Sequence, residues 1–361
     1  MKLKRIFQWI RLILIALSVS ALFPGEARGE GKEEPVRLER HPLYPEGADL
    51  AISGLAYDPE GDIYWATSDR GAGDGKDAFF QPRLYQLKMI ERFNVVTFLE
   101  SPMLVADRVF LVIKIIPLVN EDGNPARGFL EDPKRIDPGG IALAPDGTLW
   151  LVDEYGPYLL RVTREGKILE RVLPPPLFQK RKPNQGFEGV TLSPDGKILY
   201  AALESAPQGA SDPNRTYIAA YDLKKKTFRT YAYDVTDPRS LSYPEGVKAA
   251  IGISGLETVS DHALLVVEHD NQTGENARLK RLYLVDLIGA DSERPARKIL
   301  YADLYALGYM FEKPGGVAIR DDKAVVIVNN NDAVLGLPTD VSALWGEESI
   351  SSKLASLGEA L

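Results

Sequence analysis

A short pattern recurs five times along this 361-residue chain, and it limits the possible folds more than any other feature. The clear copies run from Ser53 to Trp65, Gly139 to Trp150 and Glu188 to Tyr200, with weaker ones from Ser254 to Val266 and Gly315 to Ile327. Each has a glycine, a short apolar strand, a turn rich in Pro, Asp and Gly, and a second strand such as Leu149-Trp150-Leu151-Val152. Two short strands around such a turn read as a β-hairpin. One hairpin cannot bury both of its faces, so repeated copies must stack on one another. The second glycines fall at 54, 140, 189, 255 and 316, giving steps of 86, 49, 66 and 61 residues. Propeller blades of ~40–50 residues with loop insertions give such steps.

Further hairpins fit between the copies, over Pro157 to Leu173, Thr216 to Val235 and Arg281 to Tyr301. Two inner and two outer strands make a four-stranded blade. The expectation is an all-β chain, a β-propeller of five or six blades. Six is favoured, because the step of 86 leaves room for a divergent blade within Val95 to Asp122. A β-sandwich leaves the repeated pattern unexplained. Glycine and proline, 31 and 25 residues, make up about 16% of the chain, above the usual ~12%, which suits short elements and many turns.

The start of the chain reads as an address. Lys2, Lys4 and Arg5 precede an uncharged run from Leu12 to Phe23, and Ala27-Arg28-Gly29 has the small-x-small form of a cleavage signal. The organisation expected is a signal peptide over 1–29, a lead-in over 30–50, the propeller over 51–341 and a tail over 342–361. The run is too short to span a bilayer, so no stable membrane insertion is expected after its removal. The expected location is the bacterial periplasm or the exterior. The net charge of −8 argues against a nucleic-acid partner. Cysteine is absent, which excludes disulfides, thiol nucleophiles and Cys-ligated zinc. With three histidines in all, metal chemistry is expected to use oxygen ligands. The chain is taken as a monomer.

In a propeller, residues just before each first strand and just after each second strand meet at one mouth of the channel. Four residues beyond the landmarks at 65, 150, 200, 266 and 327 stand Asp69, Glu154, Glu204, Asp270 and Asn331. Asp137 and Glu188 precede first strands, and Asp153, Glu268 and Asp332 are neighbours. Acidic groups crowded together repel unless a cation compensates, and Ca²⁺ takes six to eight oxygen ligands. Arg70 and the Lys180-Arg181-Lys182 run lie close in sequence to this set. The aspartates of the Pro-Asp-Gly turns, Asp146 and Asp195, are expected to close their turns, and Trp65, Trp150 and Tyr200 to pack between blades. No Gly-x-Ser-x-Gly elbow, P-loop or dinucleotide pattern occurs, and His269, between Glu268 and Asp270, is a candidate general base.

The segments Ser68-Asp69-Arg70-Gly71, Trp150 to Pro157, Asn184 to Gly189, Leu203-Glu204-Ser205 and Glu268-His269-Asp270 resemble the bacterial family known as esterase-like activity of phytase. The resemblance runs from about Ile52 to Asp332. It implies a secreted propeller that hydrolyses phosphoesters or carboxylesters. Carried onto this chain, it points to Asp69, Asp153, Glu154, Glu188, Glu204, Glu268 and Asp270 as metal ligands. Arg70, Glu188, Glu204 and His269 are then the catalytic candidates. Gly139, Gly255 and Gly315 stand where the family usually carries acids, and His269 where it usually has arginine. The expected function is metal-assisted attack of water on a small-molecule phosphomonoester or related ester, with Ca²⁺ as cofactor. The alternatives are an envelope propeller that binds a ligand or protein without chemistry, and a lactonase-like hydrolase.

Overall fold

The computed structural model describes residues 37–44, 52–70, 80–98, 101–128, 132, 134–309, 311, 313–321, 324–330, 340–345 and 349–359. The expected signal peptide, Asn331 and Asp332 lie outside them.

Among the described residues, twenty strands form five antiparallel blades. Blade 1 is β2 (Ile52–Asp58), β3 (Ile63–Ser68), β4 (Arg83–Phe98) and β5 (Ser101–Pro117). Blade 2 is β6 (Pro138–Leu143), β7 (Leu149–Asp153), β8 (Leu159–Val162) and β9 (Ile168–Val172). Blade 3 is β10 (Phe187–Leu192), β11 (Ile198–Leu203), β12 (Arg215–Asp222) and β13 (Thr227–Asp234). Blade 4 is β14 (Ile251–Thr258), β15 (Ala263–Asp270), β16 (Lys280–Asp286) and β17 (Arg297–Asp303). Blade 5 takes β18 (Lys313–Asp321), β19 (Ala324–Asn330) and β20 (Asp340–Trp345) from the C-terminal end of the chain, and β1 (Arg37–Tyr44) from near the start. Thus the lead-in supplies a strand of the propeller, and the segment expected as a tail begins inside β20.

The blade count is the lower of the two expected. Among the described residues the long first step holds no extra blade: β4 and β5 are 16 and 17 residues long and pair along their whole length as one extended hairpin, which absorbs residues 95–117.

The inner strands β2, β6, β10, β14 and β18 adjoin in turn, and β18 returns to β2. Five apolar clusters fill the five interfaces between blades. Trp65 packs with Ile141 between blades 1 and 2, Trp150 with Val190 between blades 2 and 3, and Tyr200 with Leu256 between blades 3 and 4. Burial of each such side chain stabilises by about 1.5–3 kcal/mol. The turn aspartates do local work: Asp146 Oδ1 accepts from the Thr148 amide at 2.9 Å, and Asp195 Oδ1 from the Lys197 amide at 3.1 Å. A helix, Ile350–Glu359, follows the last blade and buries Ile350 in the cluster between blades 4 and 5. Among the described residues no helix is long and apolar enough to cross a membrane.

Candidate functional site: an acidic mouth

Strand alternation decides which residues reach the mouth. Ser68, Asp153, Leu203, Glu268 and Asn329 occupy equivalent places, each paired with an inner-strand residue just before a bulge. The next residue in each blade is therefore Asp69, Glu154, Glu204, His269 or Asn330. Counting from landmarks at 266 and 327 runs one residue too far in blades 4 and 5, where Leu265 and Val326 are the true equivalents of Trp150. Since side chains alternate between faces, a slip of one residue exchanges the face that is read.

Glu188 reaches the mouth by another device. In β10 the pairing passes from Phe187–Leu203 to Gly189–Ala202, leaving Glu188 as the extra residue of a β-bulge. A bulge bends its strand and re-aims one side chain. Gly139 holds the same place in blade 2, and a Cβ there would lie 2.5 Å from the Phe187 carbonyl oxygen and 3.0 Å from Glu188 Oε2. The acid that the family resemblance implies at 139 has no room beside this backbone.

Five buried carboxylates gather as a result. Asp69, Asp137 and Glu154 bring one oxygen each within 4.8 Å of one another, as do Glu154, Glu188 and Glu204, so Glu154 belongs to both trios. Arg70 binds Asp137 through its main-chain amide and its Nε, both at 3.0 Å. Lys313 Nζ donates to Glu188 Oε1 at 2.8 Å, and Asn330 Nδ2 to Asp69 Oδ2. Formally, five negative charges face two positive ones. Burial pushes the Asp137 and Glu188 carboxyls up to about 8 each, and Glu154 is raised well above the usual range by burial and by Glu188. Burial alone would lower Lys313, but Glu188, Glu204, Glu154 and Asp69 hold it well above its ordinary value. Glu154 Oε2 and Glu188 Oε2 are buried and have no hydrogen-bond partner among the described residues. A hard cation fits these features: the donors are all oxygens, the surplus charge is negative, and two oxygens stand without partners.

Three residues predicted as ligands lie elsewhere. Asp153 Oδ1 accepts from the Asp137 amide at 2.7 Å, and its other oxygen from the Gly156 amide. Glu268 accepts from Tyr233 Oη at 2.6 Å, from the Thr236 amide at 3.0 Å and hydroxyl at 2.7 Å, and from Lys298. Asp270 accepts from Tyr243 Oη at 2.8 Å and Lys280 Nζ at 2.9 Å. All three have their lone pairs engaged by neighbouring strands and loops. His269, between two of them, faces the other way. Its Nδ1 lies 3.0 Å from the Asp270 carbonyl oxygen, Nε2 has no partner among the described residues, and burial holds its pKa well below 6.5. It lines a cavity of about 450 Å³ between blades 3 and 4, together with Glu204, Ser205, Gln185 and Lys182.

Sequence reasoning missed Lys313 and Tyr155. A signal existed for the first: Lys313-Pro314-Gly315-Gly316 repeats Asp137-Pro138-Gly139-Gly140, so position 313 faces the same mouth as 137. Tyr155 lies in a loop outside the repeat, and its one signal was its place in the family-like segment Trp150 to Pro157.

The family profile described as "Phytase-like: Esterase-like activity of phytase" matches residues 50–333. The chain belongs to this phytase-like family. A relative of the phytase-like chain, described as an uncharacterized secreted protein of Arthroderma benhamiae, is 28% identical over 206 residues, covering 45% of this chain and 40% of the relative. The chain thus matches less than half of that relative's length. Among solved structures, virginiamycin B lyase of Staphylococcus aureus (a catalytically inactive variant with quinupristin) aligns over 86% of this chain and 99% of its own, at 11% identity and TM-score 0.36. PQQ-bound aldose sugar dehydrogenase of Streptomyces coelicolor aligns over 87% and 99%, at 13% and 0.37. The allergen Mala s 1 of Malassezia sympodialis aligns over 82% and 77%, at 13% and 0.40. Likeness at this level says nothing about chemistry.

Proposed function

We propose that this phytase-like chain is a secreted hydrolase of phosphomonoesters or related esters, working at the acidic mouth with a bound Ca²⁺. The observation that carries the reading is the surplus of buried carboxylates, five against Arg70 and Lys313, with Glu154 Oε2 and Glu188 Oε2 lacking partners among the described residues. The leader-like start of the chain and the name of the fungal relative support secretion.

Asp69, Asp137, Glu154, Glu188 and Glu204 would hold the cation, which supplies charge neutralisation and polarises an ester oxygen. Arg70 faces the negative charge that develops on the reacting group. The Nδ1–H of His269 is directed to the Asp270 carbonyl, which leaves Nε2 as an acceptor for the proton of an attacking water. Glu188 and Glu204 flank the same space from the two ends of one hairpin. A binding propeller without chemistry is the second reading, and Lys313 favours it, since its ammonium already partners Glu188.

The test combines Glu188→Gln, Glu204→Gln and the double variant with Ca²⁺ titration and hydrolysis of phosphate, carboxylester and lactone substrates. Millimolar Ca²⁺ is expected to raise the Tm of metal-free protein, because a cation that binds only the folded mouth shifts unfolding by mass action. Each single variant should lose most of the Ca²⁺ affinity and turnover, and the double should be scarcely worse, since both residues serve one site. An unchanged Tm, or additive losses, would sink the shared site. Ca²⁺ binding without turnover on any substrate would favour the binding propeller.

A further inference from the structure

Beside the acidic mouth stands a cluster of the opposite sign. The guanidinium carbons of Arg70, Arg135 and Arg181 lie 4.7, 5.4 and 5.3 Å from the centroid of one ring, that of Tyr155. Arg70 is anchored: its Nε holds Asp137, and its Nη2 donates to Tyr155 Oη and, at 3.0 Å, to Asn184 Oδ1. The Tyr155 hydroxyl donates to Asn184 Oδ1 at 2.9 Å. Arg181 is different. Its Nε and Nη2 donate to the Tyr155 carbonyl at 2.9 and 2.6 Å, and its Nη1 to the Lys182 carbonyl at 3.0 Å. These acceptors are neutral, and among the described residues Arg181 makes no ion pair. Its charge is desolvated by burial, attracted at longer range by Asp153 and Glu154, and repelled by Arg135.

A half-buried guanidinium whose hydrogen bonds all go to neutral carbonyls, with a second guanidinium on the same ring, turns its remaining N–H groups to an incoming anion. Guanidinium forks suit a tetrahedral oxyanion, which accepts several charge-assisted hydrogen bonds at once. Stacking on Tyr155 fixes the positions of the forks. We infer that Arg135, Arg181 and Tyr155 form an anion subsite that receives a phosphoryl group of the substrate. Arg70 links this subsite to the carboxylates of the mouth. The inference rests on the hydrolase reading only for what the phosphoryl group is attached to. It selects phosphate esters over neutral carboxylesters and lactones.

Inorganic phosphate is the probe, titrated calorimetrically into full-length protein in excess chelator at constant ionic strength. Wild type is expected to bind phosphate, and acetate is expected not to bind. Arg135→Gln and Arg181→Gln should each weaken phosphate by about tenfold, the effect of one charge-assisted contact. Lys224→Gln, on a distant exposed turn, should change nothing. Should Arg181→Gln fail to fold, Arg135→Gln decides alone. Absence of binding in wild type, equal binding of acetate, or full affinity in Arg135→Gln would overturn the subsite. Phosphate binding that persists while no substrate is turned over removes the hydrolase reading and leaves the subsite standing. Turnover without phosphate binding in chelator does the reverse.

Discussion

Glu188 and His269 show how much one residue of backbone geometry decides. Glu188 points into the mouth because it is the extra residue of a bulge. His269 reaches the mouth because it alternates with Glu268 and Asp270, whose side chains turn away. The raised carboxyls have a consequence for pH. Asp137 and Glu188, ordinarily near 3.8 and 4.5, are pushed up to about 8 by burial. Between roughly pH 4.5 and 8 the folded, metal-free protein keeps protons that the unfolded chain has released. Stability therefore is greatest below this window and falls as pH rises through it, by at most about 1.4 kcal/mol per pH unit for each proton. Tm measured in chelator from pH 4.5 to 8.5 should decline, and Glu188→Gln should flatten the decline. Glu257, lining a cavity near the opposite ends of the inner strands and also raised to about 8 by burial, contributes a slope of the same sign that this variant leaves in place. An identical slope in wild type and Glu188→Gln would refute the assignment. Millimolar Ca²⁺ should reduce the slope, because a cation favours the deprotonated carboxylates.

At the scale of elements, the repeated glycines have a steric cause. With five blades the inner strands approach too closely for side chains at these places. A Cβ at Gly140 would lie 2.6 Å from the Glu188 carbonyl oxygen, and one at Gly316 2.2 Å from the Leu55 nitrogen. Backbone cannot move aside as a flexible side chain can. Gly316→Ala should therefore destabilise by about 1–3 kcal/mol, as overpacking does. Gly61→Ala, in an exposed turn where the nearest atoms belong to the Ile63 side chain, should stay within about 0.5 kcal/mol of wild type. Chemical denaturation of both variants checks this, and equal stabilities would mean that the inner strands can spread.

For the molecule as a whole, closure of the ring depends on the start of the chain. β1 pairs antiparallel with β20 from Arg37–Trp345 to Pro42–Asp340, and adds two parallel pairs to β5 through Leu43 and Tyr44. Deleting the chain up to residue 44 leaves β20 as an uncovered edge. The expected result is a lower Tm and concentration-dependent association in sedimentation velocity. A truncated chain that remains monomeric and equally stable would show that blade 5 does not need its fourth strand.

The local sequence was enough to establish the repeated hairpins, the all-β class, the turn aspartates and the inter-blade aromatics, because each follows from alternation and turn chemistry within a dozen residues. It also placed Asp69, Glu154, Glu188 and Glu204 at one mouth, since hairpin geometry returns strand ends to the level of their starts. Five rather than six blades, the bulge at Glu188, the one-residue offset in blades 4 and 5, and the approach of Lys313 to Glu188 were decided by the tertiary structure. Each depends on how far apart neighbouring strands settle once the ring closes, a distance set by packing between blades that are remote in sequence. The same holds for Arg70, Arg135 and Arg181 around Tyr155: they come from three separate loops, and only the closed ring brings their charges together.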